Sequence, residues 1–350
     1  MIIKNKNYRT VWMEGKNIKI IDQNLLPDNL KIIKLKNTED VVEAIKSMKV
    51  RGAGAIAATG AYGLAQSCLL FKGKEEEFKQ YIKNKVDTLI QTRPTAYELK
   101  NILTGLYNKL KESDNLSNSK KQLLINVKNY IDNSINNCRL MGEYGEKLIK
   151  DKSNILTHCN AGGLAFIDNG TALSPIFTAK KNGKKIFVFV SETRPRLQGA
   201  KLTAFELAQE NIPHIIITDN AAGFYMQKNK IHLVIVGADR IAVNGDVVNK
   251  IGTYEKAVLA KENNIPFYVA APLATIDPMA ESGENIPIEY RSQNEVLLIN
   301  KKRISHKKAI AENPSFDITP AKYITGIITE RGIIKANKSS IMKLLKNNYL

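Results

Sequence analysis

Three cysteines in 350 residues are too few and too widely spaced to build a disulfide framework or a zinc site: Cys68, Cys138 and Cys159 form no C-x-x-C pair. By default each is expected to be a buried small hydrophobe. Long apolar runs are missing as well. No stretch approaches the roughly 20 residues that cross a bilayer, and the opening MIIKNKNYRTVW has no apolar h-region followed by a small-residue cleavage site. A cytoplasmic protein without membrane contact is the resulting expectation. Acidic residues are the scarcer sign, 34 against 52 Lys and Arg, for a net charge of +18. Nucleic acid is not expected as the partner, because no motif interleaving aromatic and basic residues accompanies that charge. Much of the excess falls in surface-like segments, 72-KGKEEEFKQYIKNK-85 and 335-KANKSSIMKLLKNNYL-350, which read as solvated faces. An anionic small substrate would suit the same field.

The length allows two domains with well-buried cores. In the first, 17-NIKIID-22 and 30-LKIIKL-35 read as short alternating strands of a small antiparallel element. Thr38 is expected to cap a helix carrying the apolar stripe Val41, Val42, Ile45 and Met48. The small-residue run 51-RGAGAIAATGAYG-63 follows. Gly52, Gly54 and Ala57 match the dinucleotide fingerprint G-x-G-x-x-G/A, but a helix rather than a strand precedes them, so a nucleotide site is not supported. Close helix packing and anion binding at a helix start, with Arg51 beside it, both fit the run. Helices are expected over roughly 75–92, 95–113 and 120–150. Pro94 suits a first helical turn, which would leave Arg93 just outside a second helix start.

Near residue 150 the pattern changes to alternating strand and helix. Apolar runs at 154-NILTHC-159, 186-IFVFVS-191, 214-HIIITD-219, 232-HLVIVG-237 and 266-PFYVAAP-272 predict a doubly wound, mainly parallel sheet. The expected class is α/β: an N-terminal small-sheet and helical domain over 1–150, then a Rossmann-like domain over 151–350. Polar residues close these runs, and a parallel sheet gathers such residues at its carboxyl edge, where ligands bind.

The densest polar cluster is 237-GADRIAVNGDVVNKIGTY-254, expected at a crossing from strand to helix. Asp239, Arg240, Asn244, Asp246, Asn249 and Lys250 would crowd one mouth there. Equally, Asp239 and Arg240 would make a structural ion pair and Asn244-Gly245-Asp246 a plain turn. Cys159 ends a strand in His158-Cys159-Asn160, so it is either a packing residue or a thiol near cations and helix starts. Adjacent strand residues point to opposite faces, which favours a core role for His158. Gln198 and Gly199 lie where a helix starts, in reach of an anion. Glu192, Arg194 and Arg196 suit an inter-loop or inter-subunit salt-bridge set.

Seven segments together resemble the methylthioribose-1-phosphate isomerases of methionine salvage, over nearly the whole chain: VRGAGAIA at 50, TRPTA at 92, ILTHCNAGGLA at 155, SETRPRLQGAKLTAFEL at 191, GADRIAVNGDVVNKIGTY at 237, PFYVAAPLATID at 266 and NPSFDITPAKYITGIITERG at 313. The resemblance implies a two-domain enzyme, usually a homodimer, that converts an aldose 1-phosphate to a ketose 1-phosphate without redox cofactor or metal. It assigns catalysis to Cys159 and Asp239, and substrate binding to Arg51, Gly52, Ala53, Arg93, Gln198, Asn249 and Lys250. Phosphate on the anomeric oxygen blocks ordinary ring opening, so an acid must protonate the ring oxygen. A carboxyl group can serve near neutral pH where an apolar or crowded site raises its pKa, and Asp239 follows the apolar HLVIVGA. The chain departs from the family at Gly54, at Tyr97-Glu98 and over Phe166-Ile167-Asp168-Asn169, which bear on the 5-substituent. Relatives acting on 5-deoxyribose 1-phosphate or ribose 1,5-bisphosphate are the nearest alternatives. The non-catalytic regulatory subunits of initiation factor 2B share the fold and stand as the alternative from another class.

Overall fold

The computed structural model describes residues 1–93, 96–112 and 115–346. The placing of Pro94 in a helical turn, and the last four residues of the basic tail, lie outside that range. The chain forms two compact units, Met1–Arg139 with Ala161–Gly170, and Leu140–Asn160 with Thr171–Leu350. A single cut near residue 150 does not describe this division. The boundary between Arg139 and Leu140 falls inside the helix Leu116–Gly145, and the ten residues after Cys159-Asn160 return to the first unit.

In the first unit, β1 (Val11–Glu14), β2 (Asn17–Ile21) and β3 (Ile32–Leu35) make an antiparallel sheet in that order, with Val11 opposite Ile20 and Ile18 opposite Leu35. Alternation buries Ile18 and Ile20 on one face. The first helix, α1 (Thr38–Lys46), is capped by Asn37, whose side chain accepts from the Asp40 N–H at 2.8 Å. Thr38 is not the cap; its buried hydroxyl pairs with Ser67 at 2.8 Å. Met48 lies beyond the helix end at φ 58°, so only Val41 and Ile45 of its expected stripe are fully buried.

The four helices that follow are α2 (Ala53–Leu70), α3 (Glu75–Ile90), α4 (Tyr97–Lys111) and α5 (Leu116–Gly145). With 18 residues, α2 is long and apolar enough to cross a membrane by length and composition, closer to a span than the sequence reading allowed. Its flanks explain the composition differently. It packs against α1, α3 and α4, and Ala55, Ala58, Ala61 and Ala65 lie in one core with Phe78, Ile82, Leu89, Leu99 and Leu103. Small side chains let these helices approach closely, as one reading of the Gly/Ala run expected. Each large aliphatic buried there contributes about 1.5–3 kcal/mol. The segment Ala161–Gly170 is tied to this unit by Thr10, whose hydroxyl donates to the Gly163 carbonyl at 2.6 Å, and by Gln23, whose amide donates to the Leu164 carbonyl at 2.8 Å.

The second unit is built on a seven-stranded sheet. In chain order its members are β4 (Ser153–His158), β5 (Ile186–Ser191), β6 (His214–Ile217), β7 (Leu233–Val236), β10 (Phe267–Ala270), β13 (Gly326–Thr329) and β14 (Gly332–Ile334). In space they run β14-β13-β10-β7-β4-β5-β6, all parallel except the edge strand β14. The Rossmann-like expectation therefore holds. All four residues of β7 are buried, as strands covered on both faces require. Helices α6 (Leu173–Lys181), α7 (Ala204–Gln209), α8 (Ala222–Gln227) and α9 (Thr253–Glu262) intervene between strands, and α10 (Lys338–Lys346) follows β14.

Between β7 and α9 the chain does not cross directly to the helix. It makes a hairpin of β8 (Arg240–Ala242) and β9 (Val247–Lys250) in a second sheet with β11 (Ile276–Asp277) and β12 (Phe316–Thr319), ordered β11-β8-β9-β12. Gly245 has φ 96°, and a Cβ there would sit 2.5 Å from the Ala336 carbonyl carbon. Asp246 accepts from the backbone N–H groups of Gly283 and Ala321. The Asn244-Gly245-Asp246 segment is thus structural. Gly245→Ala is expected to cost about 2 kcal/mol or more of unfolding free energy; urea denaturation showing less than about 0.5 kcal/mol would contradict that placement.

Candidate active site

Strand order reverses between β4 and β7. From β4 the chain builds outward to β5 and β6, then returns to lay β7 on the opposite side of β4, with Leu156 opposite Val234. Crevices open at the carboxyl ends of strands at such a switch point. Cys159 directly follows β4 and Asp239 follows β7 by three residues, so the two candidate catalytic residues leave adjacent strands on the same edge. Both are half-buried. Cys68 and Cys138 are buried, and burial pushes the Cys68 thiol up to about 11, which keeps it protonated.

Cys159 is not in extended conformation. Its φ is 61°, its N–H donates to the Thr193 hydroxyl at 2.8 Å, and its carbonyl accepts from the Thr203 hydroxyl at 2.6 Å. His158 is a core residue, 1% exposed. Its Nε2 lies 2.8 Å from the Ile251 carbonyl, which can only accept, so Nε2 carries the proton and Nδ1 is bare. Burial holds its pKa far below the usual histidine range, the Lys256 ammonium adds to this, and the Asp219 carboxylate opposes it.

Lys250, at the end of β9, is 7% exposed. Its ammonium donates to the Ser315 carbonyl at 2.8 Å and lies 4.4 Å from the centroid of the Phe316 ring. Burial lowers its pKa. Cys159 and Asp239 are near enough to oppose that shift, while the Arg291 guanidinium adds to it. One buried amine thus stands within electrostatic reach of both candidate catalytic groups. The neighbouring Asn249 is buried and donates to Thr253 Oγ1 at 3.0 Å. Arg240 faces Asp277 at 3.4 Å.

Gln198 belongs to the connection after β5, ahead of a π-helical turn, Gly199–Thr203, that runs into α7. Such turns recur at functional sites. Its side chain is 7% exposed and its Oε1 is buried without a hydrogen-bond partner, a costly arrangement unless something binds there. Arg196 pairs with Glu295 at 2.6 Å, and Arg194 donates to the Val296 carbonyl at 2.9 Å. These arginines join loops, as one sequence reading had it.

The remaining candidates lie in the first unit. Gly52 precedes α2 with φ 94°, and no side chain caps that helix. A Cβ at Gly52 would stand 2.3 Å from Ala165 Cα, so only glycine fits. The first-turn N–H groups of α2 have no partner within the helix, an arrangement that suits an anion. Arg51 reaches the Gln23 carbonyl through a long 3.5 Å contact. Arg93 follows α3, half-buried.

Sequence reasoning missed several residues around this edge. Arg291, paired with Glu289 at 2.9 Å, lies 5.8 Å from the Phe316 centroid, and Phe316 is opposite Lys250 in the β9–β12 register. Lys256 is fully buried, donating to Asp219 O, Gly252 O and Glu255 Oε1. Asp317 accepts from the backbone N–H groups of Gly252 and Tyr254. Long-range strand pairing assembles these groups; Phe316 and Asp317 fall in the segment NPSFDITPAKYITGIITERG, but nothing in its local pattern ties them to Lys250.

Residues 49–336 match the profile of the initiation factor 2 subunit family. The methylthioribose-1-phosphate isomerase of Acetivibrio thermocellus is 50% identical over 320 residues, spanning 91% of this chain and 94% of that one. That of Carboxydothermus hydrogenoformans is 46% identical over 340 residues, 96% and 98% of the two chains. The chain belongs to the methylthioribose-1-phosphate isomerase family. Among solved structures, the 5-methylthioribose 1-phosphate isomerase of Pyrococcus horikoshii OT3 superposes with a TM-score of 0.92 at 42% identity, over 98% of this chain and 97% of that one. A structure described as translation initiation factor eIF-2B, subunit delta, from A. fulgidus gives 0.86 at 39% identity, over 96% and 100%. The methylthioribose-1-phosphate isomerase fold is therefore shared with proteins named for translation, and the site has to carry the distinction.

Two groups at this edge, buried His158 and half-buried Asp317, respond to acid in opposite directions. His158 has a folded pKa below its ordinary value of about 6.5. The unfolded chain takes up that proton first, so its stabilising contribution is present above about pH 6.5 and is lost as pH falls. Burial raises Asp317 from 3.8 to about 6. Its contribution is present below about pH 3.8 and is lost as pH rises through 6, so it opposes His158 between roughly pH 4 and 6. Asp317→Asn is expected to lose stability more steeply than the parent on acidification from pH 6.5 to 4.5; parallel urea-midpoint profiles would refute this assignment.

Proposed function

We propose that this chain isomerises 5-methylthioribose 1-phosphate to 5-methylthioribulose 1-phosphate, an aldose–ketose conversion in methionine salvage. Cys159 and Asp239 leaving the two strands at the switch point, with the buried Lys250 amine in reach of both, is the observation that carries this reading. Asp239 donates a proton to the ring oxygen, and the C1–O4 bond breaks. Cys159 then takes the C2 proton and returns it to C1, while the C2 hydroxyl gives its proton to the Asp239 carboxylate. Atoms and charge balance, no external oxidant enters, and both residues end as they began. On the competing route the C2 hydrogen moves to C1 with its electron pair, and Cys159 stabilises charge in the transition state.

Gln198, Asn249 and Lys250 are assigned to substrate binding in the second unit, with the orphaned Gln198 oxygen as the clearest support. In the first unit we assign Arg51, Gly52, Ala53 and Arg93 to anion binding; the uncapped start of α2 supports the first three. A cytoplasmic homodimer acting on a small sugar phosphate, without nucleic acid or membrane, completes the proposal.

The similarity to the A. fulgidus protein keeps a non-catalytic, partner-binding reading as the second. A coupled assay on methylthioribose 1-phosphate, 5-deoxyribose 1-phosphate and ribose 1,5-bisphosphate separates the two, since absence of ketose from all three sugars favours the binding protein. Asp239→Asn and Cys159→Ser are each expected to lower kcat by about 100-fold or more, and near-parental rates in either would remove that residue from the mechanism. With deuterium at C2, wash-out into solvent excludes a pure hydride shift, and full retention argues against free proton exchange.

A further inference from the structure

Cys159 occupies the left-handed region, φ 61°, where an L side chain crowds its own backbone. Nothing in β4 imposes this, since the strand ends at His158. The geometry is held from outside. The Cys159 N–H is fixed by Thr193 Oγ1 at 2.8 Å and the carbonyl by Thr203 Oγ1 at 2.6 Å. Thr193 is itself left-handed, φ 67°, and fully buried, an outlier for a β-branched residue that persists only where its surroundings over-determine it.

Asp219, just after β6, supplies that determination. Its Oδ1 accepts from the Thr193 N–H at 2.7 Å and from the Ser191 hydroxyl at 2.6 Å, and its Oδ2 accepts from the Arg194 N–H at 2.6 Å. Together these bonds outweigh burial and hold Asp219 below the usual carboxylate range. Since β6, β5 and β4 are neighbours in the sheet, a carboxylate on one strand exit braces the next, whose hydroxyl braces the third. The Thr193 hydroxyl has one proton and two acceptors for it, the Ser191 carbonyl at 3.0 Å and the bare His158 Nδ1 at 3.4 Å. With either partner, a lone pair remains for the Cys159 N–H.

We infer that Thr193, locked by Asp219, is a positioning residue that sets the backbone of Cys159 and hence the aim of its thiol. This rests on the reading of Cys159 as a catalytic group. Neither Thr193 nor Asp219 touches substrate in this scheme; each acts through Cys159. A misplacement of about 1 Å at a reacting group can cost about 100-fold in rate, so the effect falls on kcat and not on binding.

Thr193→Val keeps the shape and removes the lone pair, whereas Thr193→Ser keeps it. Thr193→Val is expected to lower kcat by about tenfold or more with KM within about threefold, and Thr193→Ser to restore kcat to within about threefold of the parent. The rate of Cys159 alkylation by iodoacetamide, with Cys159→Ser as the blank, should change by about tenfold or more in Thr193→Val and little in Thr193→Ser. Equal losses in Val and Ser variants, parental kcat in Thr193→Val, or an unchanged alkylation rate would each overturn the assignment. If Thr193→Val does not fold, Asp219→Asn decides by the same kcat, KM and alkylation measurements, because its amide nitrogen cannot accept a backbone N–H. Should Cys159→Ser turn over normally, the catalytic reading falls, and the alkylation rates still decide whether Thr193 sets the thiol.

Discussion

The hydrogen-bonded pairing of β4 with β7 is the constraint on which the second unit depends. They are not consecutive in sequence: strands β5 and β6 and helices α6, α7 and α8 separate them. Parallel pairing at the point where the chain turns back nevertheless sets their carboxyl ends side by side. Strands buried on both faces tolerate almost no slippage, since a shift of one residue exchanges every side chain between faces. The spacing of whatever follows the strands, Cys159 on one and Asp239 on the other, is therefore inherited from the core.

Around that edge the chain accepts costs that a purely structural unit would avoid. Left-handed Cys159 and Thr193 sit within hydrogen-bond distance of one another, and such strain clusters where a geometry is used. Buried amines are the second cost. Lys256 offsets its desolvation with three acceptors. Lys250 has the Ser315 carbonyl and the Phe316 face, and burial still lowers its pKa. An amine so placed, with a thiol and a carboxyl nearby, is the group we propose for an anionic ligand, since perturbed groups cluster at functional clefts.

The same backbone supports proteins named for sugar isomerisation and for translation initiation. Fold alone does not choose between them, because one fold can host different functions. The choice rests on side chains whose chemistry a binding surface would not require: a half-buried thiol and a carboxyl on neighbouring strand exits, with a buried glutamine oxygen without a partner in the connection after β5.

Much of this architecture was legible from local pattern. Continuous apolar runs such as LVIV mark strands covered on both faces, the Gly/Ala composition of α2 marks close helix packing, and polar residues ending each run mark the carboxyl edge. His158 is buried, as a core role expects, although the alternation argument assumed that Cys159 continued the strand, and the strand ends at His158. Two local expectations failed for long-range reasons: Asn37 caps α1 while the Thr38 hydroxyl is taken by Ser67, and the 237–254 segment makes a hairpin because β11 and β12 offer it a second sheet. What the amino-acid order determined by itself was which segments are strands or helices and which reactive groups close them. Only the tertiary structure decided that β6 braces β5 and β5 braces β4, that Phe316 and Arg291 meet Lys250, and that Ala161–Gly170 belongs with the first unit, because those contacts join residues tens to more than a hundred positions apart, and no short-range periodicity encodes them.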